Sequence, residues 1–239
     1  MAGTLLMLKE RGWELHYMTL SDGNCGSVEM SARESARVRA AEARSASSYL
    51  GATFHESITH DMEVFYNKEL LTRVASVVRL ISPSVMLVPS PEDYMEDHTN
   101  TCRIAVSAAF ARGMPNFETD PATPHVEQDV VVYHSMPHGL RDALDRPVMP
   151  DFLVDITSVI DEKERALALH ESQKDWLDRS QGFDSYLKSM RAMSAETGAL
   201  ASPQVKYAEG WRRHSHLGFS ASRYDPLEED LAGLIRAPG

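Results

Sequence analysis

The sequence predicts an α/β protein, and three observations support that class. Helical and strand-like segments alternate along the chain, which is typical of α/β folds. Residues 85–88 are wholly apolar, the pattern of a strand buried on both faces of a parallel sheet. The composition of the 239 residues, 43% hydrophobic and 25% charged, is that of an ordinary globular domain. We therefore expect residues 1–239 to form a single domain, a Rossmann-like three-layer sandwich with a mostly parallel sheet.

Residues that end helices define the elements of the first part of the chain. Gly12 and Gly51 each follow a helical pattern, and glycine commonly ends helices because it adopts the left-handed conformation. Pro83 cannot continue the third helix. A run of aromatic and other β-forming residues begins at Trp13. These signals predict helices over residues 3–10, 31–50 and 68–80 and a strand over residues 13–20.

The second part of the chain gives further strands and helices. Ser202 followed by Pro203 is a favourable N-cap and first-turn pair, which predicts a last helix there. The proline-containing span 114–124 is expected to be a long loop, and the acidic tail after Tyr224 is expected to be peripheral. The other patterns, with this helix, predict strands over residues 85–88, 130–133 and 152–156 and helices over residues 99–112, 158–178 and 203–212.

The charge balance excludes some classes of partner. The net charge is -11, from 24 Lys and Arg against 35 Asp and Glu. Such a surface repels phosphate backbones, so we expect no nucleic-acid partner. We also expect no membrane partner, because no apolar run approaches the ~20 residues of a membrane span. Cys25 and Cys102 are too few for a disulfide scaffold and fit a reducing cytoplasm.

Polar segments follow several predicted strands. In open α/β sheets, ligands bind at the carboxyl ends of the strands. Residues 21–27, 89–100 and 134–139 occupy such positions and are rich in polar, turn-forming side chains. We therefore expect a functional site to draw on these three segments.

The densest of these segments, residues 89–100, places Asp97 directly before His98 at a helix start. An imidazole can bind a metal through one nitrogen while a carboxylate holds the other. Acidic residues also favour helix N-termini for electrostatic reasons alone. The spacing of these residues therefore leaves a metal site and an ordinary acidic helix start as alternatives.

The ordered set of motifs resembles the LmbE-like (PIG-L) family of zinc-dependent N-deacetylases. The resemblance covers most of the chain, and its specificity lies in the order of the motifs. The matching segments are Thr19 to Gly23, Arg39 with Glu42, Ala46 and Leu50-Gly51, Pro83 to Val88, Tyr94 to His98, Val154 to Thr157, and His170 to Gln173. By this resemblance we expect a Rossmann-like hydrolase that removes an acetyl or related acyl group from an N-acylated amino sugar or similar small molecule. A homo-oligomer is left open, because an exposed sheet edge favours association.

The resemblance also implies roles for individual residues. His98 matches a zinc ligand, and Asp97 is expected to be the carboxylate that orients it. Tyr94, Asp22 and Arg39 are expected to contact the substrate. Asp22-Gly23 is also ordinary turn chemistry, and an arginine on a helix rich in Ala and Glu is more often solvated or paired.

Met95 stands where the family commonly has a histidine that polarises the substrate carbonyl. A thioether cannot donate a hydrogen bond. His134 and His138 follow a predicted strand and are candidates for this catalytic role. The alternative is that both are loop histidines without a role in catalysis.

The family signature Ala-His-Pro-Asp-Asp normally precedes a Gly-Thr pair, which here is Gly3-Thr4. We therefore expect that this motif and its strand are missing from the sequence. An α/β chain that opens with a crossover helix also lacks the strand from which the helix crosses. With one of three zinc ligands present, we expect weak or no zinc binding and little activity.

Two other functions remain as alternatives. A non-catalytic sugar- or metabolite-binding protein of the same fold would fit both Met95 and the absent signature. A nucleotide-binding α/β protein lacks support, because neither G-x-G-x-x-G nor G-x-x-x-x-G-K-[ST] follows a strand.

Overall fold

A computed structural model describes residues 1–181 and 185–239. The helices are α1 Ala2–Glu10, α2 Ala32–Leu50, α3 Lys68–Ile81, α4 Glu96–Ala111, α5 Ile160–Ala168, α6 Glu171–Gln181, α7 Ser185–Ala199 and α8 Pro226–Asp230. The strands are β1 Leu15–Met18, β2 Ala52–His55, β3 Val85–Val88, β4 Val131–Ser135, β5 Phe152–Asp155, β6 Ala201–Ser202, β7 Ala208–Arg213 and β8 Ile235–Pro238. The chain divides into two compact units. The first contains residues 1–61, 152–209 and 230–239, and the second contains residues 62–151 and 210–229.

In the first unit, β1 and β2 form a parallel pair. Helix α2 lies between them in sequence, with Ser31 as its N-cap and Gly51 in the left-handed conformation after its last residue. Strand β8 pairs antiparallel with β5 and with β6. The core around β5 includes the fully buried Leu153.

In the second unit, β3 and β4 form a parallel pair, and β4 pairs antiparallel with β7. Val88, Val130 and Val132 form a buried cluster with Cys102 of α4. The loops that leave the carboxyl ends of β3 and β4 therefore start side by side. One leads into α4 and the other into a short 3-10 helix, His138–Leu140.

A buried arginine of α3 fixes the end of α4. The last carbonyl groups of a helix have no partner within the helix. Arg79, only 5% exposed, donates from Nε to the carbonyl oxygen of Arg112 at 3.1 Å. Its Nη2 reaches the carbonyl oxygens of Ala111 at 3.1 Å and Met114 at 2.8 Å, and Nη1 reaches that of Thr123 at 2.9 Å.

The predicted alternation of helices and strands is confirmed, and the first six predicted elements match α1, β1, α2, α3, β3 and α4. The strand pairing is partly parallel and partly antiparallel, because β7 pairs antiparallel with β4 and β8 pairs antiparallel with β5. Val85, Met86 and Leu87 are half-buried, so β3 is less enclosed than predicted. The predicted helix 158–178 is divided near His170 into α5 and α6.

The predicted helix over residues 203–212 is wrong. Residues 208–213 form β7, whose residues 211–213 pair with β4. The Trp211 side chain is fully buried there, so packing in the sheet outweighs the local helix-start signal at Ser202-Pro203. The acidic tail is also not peripheral. Leu227 and Leu231 are fully buried, and the tail supplies β8.

Across the described residues, no helix combines the length and apolar character that crossing a bilayer requires.

Candidate functional site

The turn between β3 and α4 positions His98 against Asp93. Met95 is the N-cap of α4, and its N–H donates to Asp93 Oδ1 at 3.0 Å. This Asx turn carries the chain into the helix. His98 Nδ1 lies 3.0 Å from the same carboxylate oxygen. The Asp93 side chain is 5% exposed and that of His98 is 43% exposed, so a buried carboxylate holds a partly accessible imidazole.

This pairing shifts the pKa values of both groups. Burial alone would raise the pKa of Asp93, but hydrogen bonds from His98 and the Met95 N–H hold it below its ordinary value. The hydrogen bond to Asp93 raises the pKa of His98, although burial acts in the opposite direction. With Nδ1 at Asp93, the Nε2 atom of His98 is the nitrogen left to bind a ligand.

The structure corrects the role expected of Asp97. The carboxylate hydrogen-bonded to His98 is Asp93, whereas Asp97 Oδ2 accepts the N–H of Met62 at 2.8 Å. The reason is geometric, because consecutive residues of a helix point in different directions. Asp97 raises the pKa of His98 only as a nearby negative charge.

Tyr94 and His138 lie beside this pair. The backbone N–H of His138 donates to Asp93, which joins the loop after β4 to the loop after β3. The Tyr94 ring makes edge contacts with both His98 and His138, with ring centroids 6.1 and 6.2 Å apart. Tyr94 and His138 are both exposed. The structure thus brings together Tyr94, His98 and His138, which the sequence had singled out, around Asp93.

His134 belongs to a different cluster. Its Nε2 lies 2.9 Å from His214 Nδ1, and its Nδ1 lies 3.3 Å from both Cys102 Sγ and the carbonyl oxygen of Pro89. Burial lowers the pKa of His134 to about 4 and also lowers that of His214. Sequence reasoning missed this pairing because it predicted a helix over residues 203–212, whereas β7 pairs with β4 and leads into His214.

Arg212 also reaches the loop after β3. It pairs with the Glu92 carboxylate, and its Nη2 donates to Ser90 Oγ at 2.8 Å. Ser90 in turn donates to the carbonyl oxygen of Glu92 at 2.6 Å. These contacts hold the start of the loop, and sequence reasoning missed them because it placed Arg212 on a helix.

Asp22 and Arg39 lie in the first unit, where both stabilise the loop after β1. Asp22 Oδ2 lies 2.6 Å from His60 Nδ1, and Asp22 Oδ1 accepts the N–H of Asn24 at 3.1 Å. Arg39 donates to the carbonyl oxygen of Gly26 at 2.6 Å and also bonds Gln173. The guanidinium of Arg39 therefore holds this loop and α6 in place, and its expected contact with substrate stays a prediction.

The described residues do not supply a complete metal site. No group of three His, Cys, Asp or Glu side chains among residues 1–181 and 185–239 is arranged to hold a metal ion. His98 has the chemistry of a ligand, because its Nδ1 is held by a carboxylate. It is one candidate ligand without the partners that a zinc site requires.

Comparisons with known proteins place this geometry in a family. Residues 1–109, which include Asp93 and His98, match the family model described as PIG-L: GlcNAc-PI de-N-acetylase. The match covers somewhat less than half of the 239 residues. The resemblance predicted from the sequence motifs is thereby confirmed.

Two curated proteins are similar to this chain in sequence. A diacetylchitobiose deacetylase from Thermococcus kodakarensis is 29% identical over 183 residues, which are 72% of this chain and 64% of that protein. The chain therefore spans somewhat less than two thirds of this relative. A 4-oxalmesaconate hydratase from Pseudomonas putida is 28% identical over 221 residues, which are 87% of this chain and 81% of that protein.

A solved structure confirms the fold of this chain. The N,N'-diacetylchitobiose deacetylase from Pyrococcus horikoshii superimposes with a TM-score of 0.73 at 23% identity, covering 95% of this chain and 82% of the other. The predicted Rossmann-like α/β class is thus confirmed.

Proposed function

We propose that this protein is a metal-dependent hydrolase that removes an acetyl or related acyl group from a small N-acylated amino sugar. The observation that carries the proposal is the Asp93–His98 pair, which lies within the residues matched by the PIG-L family. The deacetylase relative from Thermococcus kodakarensis supports the same class of substrate. Both free thiols, Cys25 and Cys102, fit an enzyme of the cytoplasm. A homo-oligomer, as expected from the sequence, stays part of the proposal.

The residues of this chain prepare the site in a defined way. Asp93 fixes the ring of His98 so that Nε2 is available to zinc, the metal expected from the family. In zinc hydrolases the metal activates a water molecule and polarises the carbonyl group. Because no group of three possible ligands is found among the described residues, we assign no step through the metal in this chain.

We further propose that His138 supplies the hydrogen bond that Met95 cannot donate. Its ring lies beside Tyr94, and its backbone N–H is bonded to Asp93. His134 is less suited to that role, because it is 6% exposed and both of its ring nitrogens already have partners.

A second candidate function is hydration of a small unsaturated acid. The hydratase from Pseudomonas putida matches 87% of this chain, more than the deacetylase does. The substrate that is turned over distinguishes the two functions.

The test compares the wild type with His98→Ala and with the control His125→Ala, which alters an exposed histidine of the same unit. N,N'-diacetylchitobiose and N-acetylglucosamine are incubated with added zinc chloride, and released amine is measured. We expect slow, zinc-stimulated amine release by the wild type and by His125→Ala. The rate of amine release by His98→Ala should be lower by a factor of about ten or more, the range seen when metal sites are disturbed.

Two outcomes would contradict this proposal. Equal rates for the wild type and His98→Ala would remove the role of His98. Absence of amine release from all three proteins would favour the non-catalytic binding protein, or the hydratase if 4-oxalmesaconate is consumed instead. Metal analysis adds a separate check, because stoichiometric zinc retained through His98 would show that the site is more complete than the described residues indicate.

A further inference from the structure

A cavity of about 330 Å³ lies within the second unit, beside the middle of α4. Its lining includes Cys102, Arg103 and Val106 of α4, together with Tyr66, His134 and His214. Cys102 lies one helical turn beyond His98, yet His98 itself is not part of the lining. This volume is at the lower end of the range for sites that bind small molecules.

Arg103, one of the lining residues, is stacked on an aromatic ring. Its guanidinium carbon lies 4.8 Å from the centre of the Tyr66 ring. The Tyr66 hydroxyl is fixed in turn by Ser107 Oγ at 3.0 Å. A guanidinium stacked on an aromatic face keeps the N–H groups of its edge for a planar partner, and carboxylates match that edge with two hydrogen bonds.

The rest of the lining is electrically neutral near pH 7. Burial lowers the pKa of His134 to about 4 and lowers that of His214. Burial raises the pKa of the Cys102 thiol to about 11, so the thiol stays protonated. No acidic side chain is among the described residues that line the cavity. Arg103 is therefore the single charged side chain among these described lining residues, in a chain whose net charge is -11.

We propose that this cavity is a binding site for a small monocarboxylate with a flat apolar body. The carboxylate pairs with the edge of the Arg103 guanidinium, and the apolar body contacts Tyr66, Val106 and Cys102. A single positive charge suits a monoanion better than a phosphate, which carries about two negative charges near neutral pH. This site is separate from the Asp93–His98 pair and does not depend on the proposed deacetylase activity.

The test uses isothermal titration calorimetry with benzoate and its neutral analogue benzamide. We expect benzoate to bind the wild-type protein about tenfold more tightly than benzamide, which corresponds to about 1.4 kcal/mol. Arg103→Gln should lose this preference. Arg223→Gln, which removes an exposed arginine of the same unit, should leave it unchanged.

A second variant locates the site. Val106→Phe fills the cavity from the half-buried face of α4 and should abolish benzoate binding while circular dichroism shows an unchanged helical content. The proposal is overturned if benzoate does not bind, if benzamide binds equally well, or if Arg103→Gln keeps the wild-type affinity. Unchanged benzoate binding by a folded Val106→Phe would place the site elsewhere and would also overturn it.

Discussion

Asp93 is the residue on which the candidate site depends. Its buried carboxylate accepts hydrogen bonds from His98, from the Met95 N–H and from the His138 N–H. The sequence could identify the acidic segment and His98, but it assigned the orienting role to Asp97. The choice between two aspartates depends on the path of the turn before α4, which adjacency in the sequence does not reveal.

Replacement of Asp93 by asparagine should lower the pKa of His98. The hydrogen bond from His98 to a carboxylate raises this pKa against the effect of burial, and a neutral amide removes most of that stabilisation of the imidazolium. We expect the His98 pKa of Asp93→Asn to lie below that of the wild type. The measurement is a proton NMR titration of the imidazole in metal-free protein.

Asp97→Asn is the matched control for this titration. Asp97 acts on His98 only through its charge, which is the smallest of the contributions to the shift. Its replacement should therefore lower the His98 pKa by less than Asp93→Asn does. A larger effect of Asp97→Asn would restore Asp97 as the orienting carboxylate.

At the scale of elements, local signals were sufficient where one residue type determines the outcome. Gly51 takes the left-handed conformation after α2, and Ser31 accepts the N–H of Glu34 at its start. Local signals gave the wrong element for residues 203–212, because the burial of Trp211 in β7 depends on a partner strand far away in sequence. The same separation hid the pairing of His134 with His214.

Arg79→Ala should destabilise the protein through the end of α4. It removes four hydrogen bonds to carbonyl oxygens in a nearly buried setting. Loss of charged donors to buried acceptors of this kind costs about 3 kcal/mol. The measurement is urea unfolding followed by circular dichroism, which should show a lower midpoint for Arg79→Ala.

Arg37→Ala, at an exposed position of α2, controls for the loss of an arginine and should change the stability by less than about 0.5 kcal/mol. If both variants unfold at the wild-type midpoint, the cap on α4 contributes no stability.

For the whole molecule, composition and alternation were enough to predict the α/β class. The antiparallel pairing of β7 with β4 and of β8 with β5 was not predictable. Both β7 and β8 are short and lack an alternating pattern. Although the composition is acidic, two acidic side chains among the described residues are buried, Asp93 and Glu209. Glu209 is 6% exposed, lies 2.8 Å from Lys163 Nζ, and accepts the N–H groups of Gly3 and Thr4.

Global stability should therefore fall in acid partly through Glu209. Burial alone would raise its pKa, but Lys163 and several hydrogen bonds hold it well below the ordinary value. A carboxyl group with a lowered folded-state pKa contributes stability that is fully present above its unfolded-state pKa, about 4.3. This contribution is lost as the pH falls through the folded-state pKa.

Glu209→Gln isolates this contribution. At pH 7 the variant should be less stable by about 3 kcal/mol or more, because the Lys163 ammonium loses its buried partner. In urea unfolding at successively lower pH, starting near pH 5, the difference from the wild type should shrink. A difference that stays constant down to pH 3 would show that the charge of Glu209 does not account for it.

The contacts of Arg79 have a consequence for variation in this protein. All four of its hydrogen bonds end on main-chain oxygens, which every amino acid carries. This interaction therefore fixes the course of the chain after α4 without selecting the side chains found there. Natural or laboratory variants of Met114 should then be tolerated much more readily than variants of Arg79. One position of α3 thus determines the conformation of a loop that is distant from it in sequence.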